Sequence, residues 1–185
     1  MPLISEHARL LFQIGNRAII AAMRLIPLRQ WICDTCGEVI ESPRDGWLEW
    51  VATDSRHARD FRIVHHRPVS PRGEHPPDGC YQHASERGRQ DSHLDSFVGA
   101  DGLARLLSFL DIGYIDPDDS GPRVESTREL AELTRRHMLP HYEEARLYWS
   151  EAVSDGFFDG ANEVSPYTQT TLTAIIERFA PRDPE

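Results

Sequence analysis

The hydrophobic pattern divides the chain into three stretches of different period. In the first, Ile4, Ala8, Leu11, Gly15, Ala18, Ala22 and Leu25 recur at helical spacing, and Phe12, Ile19 and Ile26 widen the stripe. This predicts an N-terminal helix within 1–29, with Ser5 as N-cap and Pro27 at its end. Its small residues suit close approach by another element of the same unit, or by a second copy in a homodimer.

Between 30 and 98 the pattern changes to short strands and loops. Trp31-Ile32, Glu38-Val39-Ile40, Trp47 to Val51 and Phe61 to His65 are the expected strands. Gly37 and the stretch Pro43 to Gly46 supply turns. Arg67 to Gly79 holds Pro68, Pro71, Pro76 and Pro77, a long loop that a compact unit must pin.

From 99 to 185 the helical period returns. Leu103, Leu106, Leu107 and Leu110 form one stripe, and Ser126 with Glu129 has capping-box spacing ahead of Leu130, Leu133 and Leu139. Pro140 breaks that helix, and Tyr142, Ala145, Trp149, Ala152 and Val153 share the face of the next. Ser165-Pro166 reads as an N-cap and first helical residue ahead of Leu172, Ile175, Ile176 and Phe179. The expectation is an α+β fold: an N-terminal helix, a small β unit and a C-terminal helical bundle, packed as one unit.

The most specific chemistry is Cys33-Asp34-Thr35-Cys36-Gly37. Two residues between the thiols let both sulfurs reach one ion at about 2.3 Å, and the glycine tolerates the backbone angles of such a turn. Trp31-Ile32 and Val39-Ile40 flank it as hairpin arms. The motif resembles the knuckle of zinc-ribbon and treble-clef proteins over about a dozen residues, which implies a structural Zn2+ site. Cys80-Tyr81-Gln82-His83 repeats the spacing and completes a Cys3His set. His66 and His65 compete with His83 for the fourth place, ranked behind it. Both end a strand, where neighbours point to opposite faces, so at most one reaches the ion. A redox Cys pair is the alternative, but it calls for a helix after the motif, and here a strand-like segment follows.

Composition narrows the function. The 185 residues carry a net charge of −10, and all 20 basic residues are Arg. Without Lys there is no P-loop, no Schiff-base enzyme and no kinase ATP site. Residues 111–185 hold seven Arg against sixteen acids, which repels phosphate backbones. Seven Arg lie within 56–89, the segment best suited to an anion and the basis of a third reading, an Arg-dependent nucleic-acid binder. Three Cys fit a reducing cytoplasm better than a disulfide framework, and no apolar run reaches a membrane span.

The weaker constellations are weighed against this background. His65 or His66 as a base, with Asp91, His93 and Asp95, gives a metal-dependent nuclease or hydrolase of the His-containing ββα-metal type. Asp116 to Gly121 matches half an EF-hand loop, but Thr127 stands where the bidentate Glu belongs. His137 and His141 read as surface residues. Tyr142, Tyr148 and Trp149 read as helix packing ahead of a ligand-stacking patch, and Trp47 and Trp50 as facing opposite ways. The expected function is a non-enzymatic, cytoplasmic, zinc-binding interaction or adaptor module with a protein partner. The nuclease or hydrolase is the alternative.

Overall fold

A computed structural model describes residues 24–53, 57–75, 78–82, 88–112, 115 and 121–181. The expected N-terminal helix, His83 and the half EF-hand at 116–120 fall wholly or mainly outside these residues. Within them Pro27 to Arg29 form a turn.

Helix and sheet are mixed, and both sheets are antiparallel. β1 (Trp31–Ile32) and β2 (Val39–Ile40) form a hairpin, Trp31 opposite Ile40 and Ile32 opposite Val39. β3 (Gly46–Ala52) is the centre of a three-stranded sheet, with β4 (Ala58–His65) and β5 (Arg89–His93) on its two sides. Between Glu49 and Val51 the register with β4 slips, and Asp60 takes a left-handed φ of 54° at that bulge. The β5 segment, not expected as a strand from the sequence, pairs with β3 and leads into a 3-10 turn at Leu94–Phe97. Arg-Gln-Asp-Ser-His has no apolar alternation, so its conformation rests on pairing with β3 and on burial of Arg89.

The helices are α1 (Gly99–Leu107), α2 (Thr127–Met138), α3 (Tyr142–Ala145), α4 (Trp149–Ser154) and α5 (Gln169–Phe179). Ser126 caps α2, its side chain accepting from the Glu129 N–H. After Pro140 the chain turns through His141, at a left-handed φ of 66°, into α3, and a 3-10 turn at Arg146–Tyr148 breaks the expected continuous helix by separating α3 from α4. Val153 is consequently exposed. Ser165-Pro166 opens a 3-10 turn, and Thr168 caps α5 in its place. Gly102 lets α1 start against the preceding turn, since a Cβ there would lie 2.2 Å from the Phe97 carbonyl carbon.

Two hydrophobic clusters result. Trp31, Ile40, Leu48, Ile63, Leu94 and Phe97 join Leu106, Leu130 and Leu133 around the sheet, together with the three cysteines. Tyr142, Ala145, Ala152, Leu172, Ile175 and Ile176 form the second, in the C-terminal helices. Among the described residues no helix is long and apolar enough to cross a membrane.

Candidate metal centre

Cys33, Cys36, His65 and Cys80 each place a donor atom within 4.8 Å of the other three. All four are buried, and the cysteines form no disulfide. Sulfurs bound tetrahedrally to one ion at about 2.3 Å lie about 3.8 Å apart, so small side-chain adjustments would bring these four donors onto a single ion.

Each donor is placed by local structure. The knuckle closes through Cys33 N–H to Glu38 O at 2.9 Å and Gly37 N–H to Cys33 O at 2.9 Å. Gly37 has φ 78°, in the left-handed region that favours glycine. The Glu38 N–H lies 3.5 Å from the Cys36 sulfur, a contact suited to a thiolate. Asp34 then docks the knuckle on the outer edge of β4: its N–H donates to Ile63 O at 2.8 Å, and its carboxylate accepts the Ile63 N–H at 2.7 Å. That edge carries His65. Its Nε2–H donates to Val39 O at 3.1 Å, which turns Nδ1 to the sulfurs, 3.4 Å from that of Cys36. Cys80 comes from the Pro-rich loop. Its N–H donates to Ser70 Oγ at 3.1 Å, and its carbonyl accepts Thr35 Oγ1 at 3.0 Å.

The electrostatics are those of an anionic sulfur cluster. Hydrogen bonds from Cys36 and Cys80 hold Cys33 well below the ordinary thiol range despite burial. Cys36 is pushed far up, because Cys33 and Cys80 resist a second negative charge beside them. Burial pulls His65 down, but the Cys33 and Cys80 sulfurs outweigh it and raise the imidazole to about 10. A bound divalent cation would remove the obstacle to ionising Cys36 beside Cys33, and three thiolates with one imidazole suit a soft or borderline ion.

The structure therefore brings together three of the sequence-nominated donors, Cys33, Cys36 and Cys80, with His65 beside them. His83, ranked first for the fourth place, lies outside the described residues. His66 is turned to the other side of the strand, where its ring centroid is 5.4 Å from that of Trp47. His93 stacks on the same Trp47 at 4.0 Å, and Asp91 accepts the Tyr81 hydroxyl nearby. Neither residue, nor Asp95, joins a group of three close metal donors among the described residues. His137, read from sequence as a surface residue, is 2% exposed. It lies between the rings of Trp31 and Phe97, and its Nδ1–H donates to Leu133 O at 2.8 Å.

Sequence reading missed the ion network behind the knuckle. Arg136 is buried, and its Nε and Nη2 donate to Glu143 at 2.7 and 2.9 Å, its Nη1 to Asp34 at 2.8 Å, and Nη2 also to Ile32 O at 3.1 Å. Glu143 accepts the Ile32 N–H at 3.0 Å and is held by Arg146 as well. Asp34 is visible inside the Cys-x-x-Cys motif, but its partners lie about a hundred residues on, so no spacing announces them. Compared with models of known protein families, with curated proteins and with solved structures, the chain has no significant match.

Proposed function

We propose that this chain is a cytoplasmic, non-enzymatic binding module stapled by one structural Zn2+, held by Cys33, Cys36, Cys80 and His65. The observation that carries the reading is the buried Cys3His set itself. Four protein donors satisfy tetrahedral zinc and leave no position for the water that a catalytic zinc requires. The ion would tie the β1–β2 hairpin, the β4 edge and the Pro-rich loop to one point. A reducing compartment keeps three thiols available for it.

Metal analysis of protein purified without added metal tests the reading. One zinc per chain is expected, and it is lost in the Cys33→Ser, Cys36→Ser double variant. Metal-free wild type overturns the proposal. His65→Ala is expected to lose the zinc and His83→Ala to keep it, while the reverse returns the fourth place to His83.

The second reading, a nuclease or hydrolase, draws on the clustering of His66, His93 and Asp91 around Trp47 and Tyr81. It requires that His66→Ala and His93→Ala abolish a nucleic-acid or ester cleavage while zinc content and folding persist. If neither variant changes any such cleavage, the second reading is overturned.

A further inference from the structure

A cleft of about 880 Å³ lies between the bulged start of β4, α2, and the α3–α4 segment. This is the size of a small-molecule site. Five Arg and four acids line it, and two of those Arg, Arg136 and Arg146, are held by Glu143. Arg59, Arg128 and Arg135 remain to face a ligand.

Each acid has a hydrogen-bond or ion partner, a cation for Asp60 and Glu125 and a neutral donor for Glu129 and Glu132. Asp60 accepts Arg89 at 3.0 Å, and Glu129 accepts the Asp60 N–H at 2.8 Å. Glu132 accepts the Tyr142 hydroxyl at 2.5 Å, and Glu125 lies 3.5 Å from Arg59. The guanidiniums are not all spent. Arg128 is exposed on the first turn of α2 and has no ion partner among the described residues. Arg59 is half-exposed in its single loose pair. Arg135 lies over the Tyr167 ring at 4.0 Å, with Glu132 only at 3.9 Å.

Behind them Trp149 and Tyr167 are stacked at 5.6 Å, a wall that excludes water from one side. Planar guanidiniums backed by aromatic rings match oxyanions bidentately, and a low-dielectric wall strengthens the attraction.

We infer that this cleft binds the carboxylate or phosphate group of a small anionic molecule, with Arg128 and Arg59 at its mouth and Arg135 against the aromatic wall. This goes beyond the zinc reading and is tested separately from it, although the two are physically joined. Arg136 and Arg146 line the cleft and also reach Asp34 in the knuckle, at 2.8 and 3.6 Å.

The test is calorimetric titration of the full-length, as-purified chain at fixed ionic strength. Inorganic pyrophosphate is the probe in one arm and citrate in the other, with zinc content measured on the same sample. Saturable binding is expected in at least one arm, and the stronger arm identifies the oxyanion. Replacing Arg59 and Arg128 together by Gln is expected to weaken binding at least about tenfold, the scale of lost charge-assisted hydrogen bonds. Arg128→Gln alone, at an exposed helical position, is expected to weaken it at least about threefold, which keeps the test valid if the double variant misfolds. Arg178→Gln, the same charge change outside the cleft, is expected to leave affinity within about twofold. No saturation in either arm overturns the inference, and so does equal weakening by Arg178→Gln. A zinc-free sample that still binds removes the zinc reading and leaves this one standing.

Discussion

At the scale of single residues, the knuckle depends on side chains that never touch the proposed ion. Arg136 is enclosed by Glu143, Asp34 and the Ile32 carbonyl, so every nitrogen of its fork has an acceptor. Removing one member of such a buried set strands the others, at a cost of about 3–5 kcal/mol, whereas replacing charges by apolar groups of similar volume is often tolerated. Arg136→Leu is therefore expected to lower unfolding stability by about that amount, measured by urea denaturation with metal in excess. The Arg136→Leu, Glu143→Leu double variant is expected to recover part of the loss. A single variant costing under about 1 kcal/mol would mean that the network contributes little. The choice between His65 and His66 belongs to this scale too. Strand alternation allows only one of them to face the knuckle, and the Val39 carbonyl orients His65 for that place.

At the scale of elements, short-range signals were legible and long-range ones were not. Ser126 and Glu129 sit three apart, and the cap they announce is present, with Ser126 Oγ 3.3 Å from the Glu129 N–H. Ser126→Ala is expected to cost about 1 kcal/mol in thermal or urea unfolding. The knuckle was legible for the same reason, since Cys33, Cys36 and Gly37 close their own turn. β5 was not legible, because Arg89 to His93 carries no hydrophobic alternation and becomes a strand only where β3 offers an edge. The helix drawn through Tyr142 to Val153 failed because a 3-10 turn at Arg146–Tyr148 divides it, and periodicity alone does not register that. The loop that supplies Cys80 gives the clearest element-scale test. Thr35 and Arg72 tie it to the knuckle and Ser70 holds Cys80, each by a single hydrogen bond, so a bound ion at Cys80 would add a strong tie at its end. Chelation is expected to raise trypsin cleavage after the exposed Arg72 by at least about tenfold, the effect of converting a pinned loop to an open one. An unchanged rate would show that the loop keeps its place without metal.

At the scale of the whole molecule, two buried groups that join the sheet core to the helices make stability depend on pH in the same direction. Glu143 resists burial through Arg136 and Arg146, which hold its carboxyl near 2. A depressed acid stabilises the fold above its unfolded value of 4.5, and that contribution is lost as pH falls from there toward 2. His137 is depressed for a different reason: burial disfavours the imidazolium and brings it to about 4. Its Nδ1–H is committed to Leu133 O, and its Nε2 has no partner among the described residues, so a second proton would meet only ring surfaces. The unfolded chain binds that proton first, near 6.5, and stability falls from there down to 4, by about 3 kcal/mol in all. The two windows overlap, and protonation of the cysteines of the proposed zinc site would add to both. A comparison of variants separates them. Between pH 7 and pH 5, wild type is expected to lose roughly 2 kcal/mol more than His137→Leu in urea unfolding, because the metal site is common to both and cancels. Parallel pH profiles for the two proteins would show that His137 takes its second proton as readily folded as unfolded, and would remove it as the origin of the loss above pH 4.5.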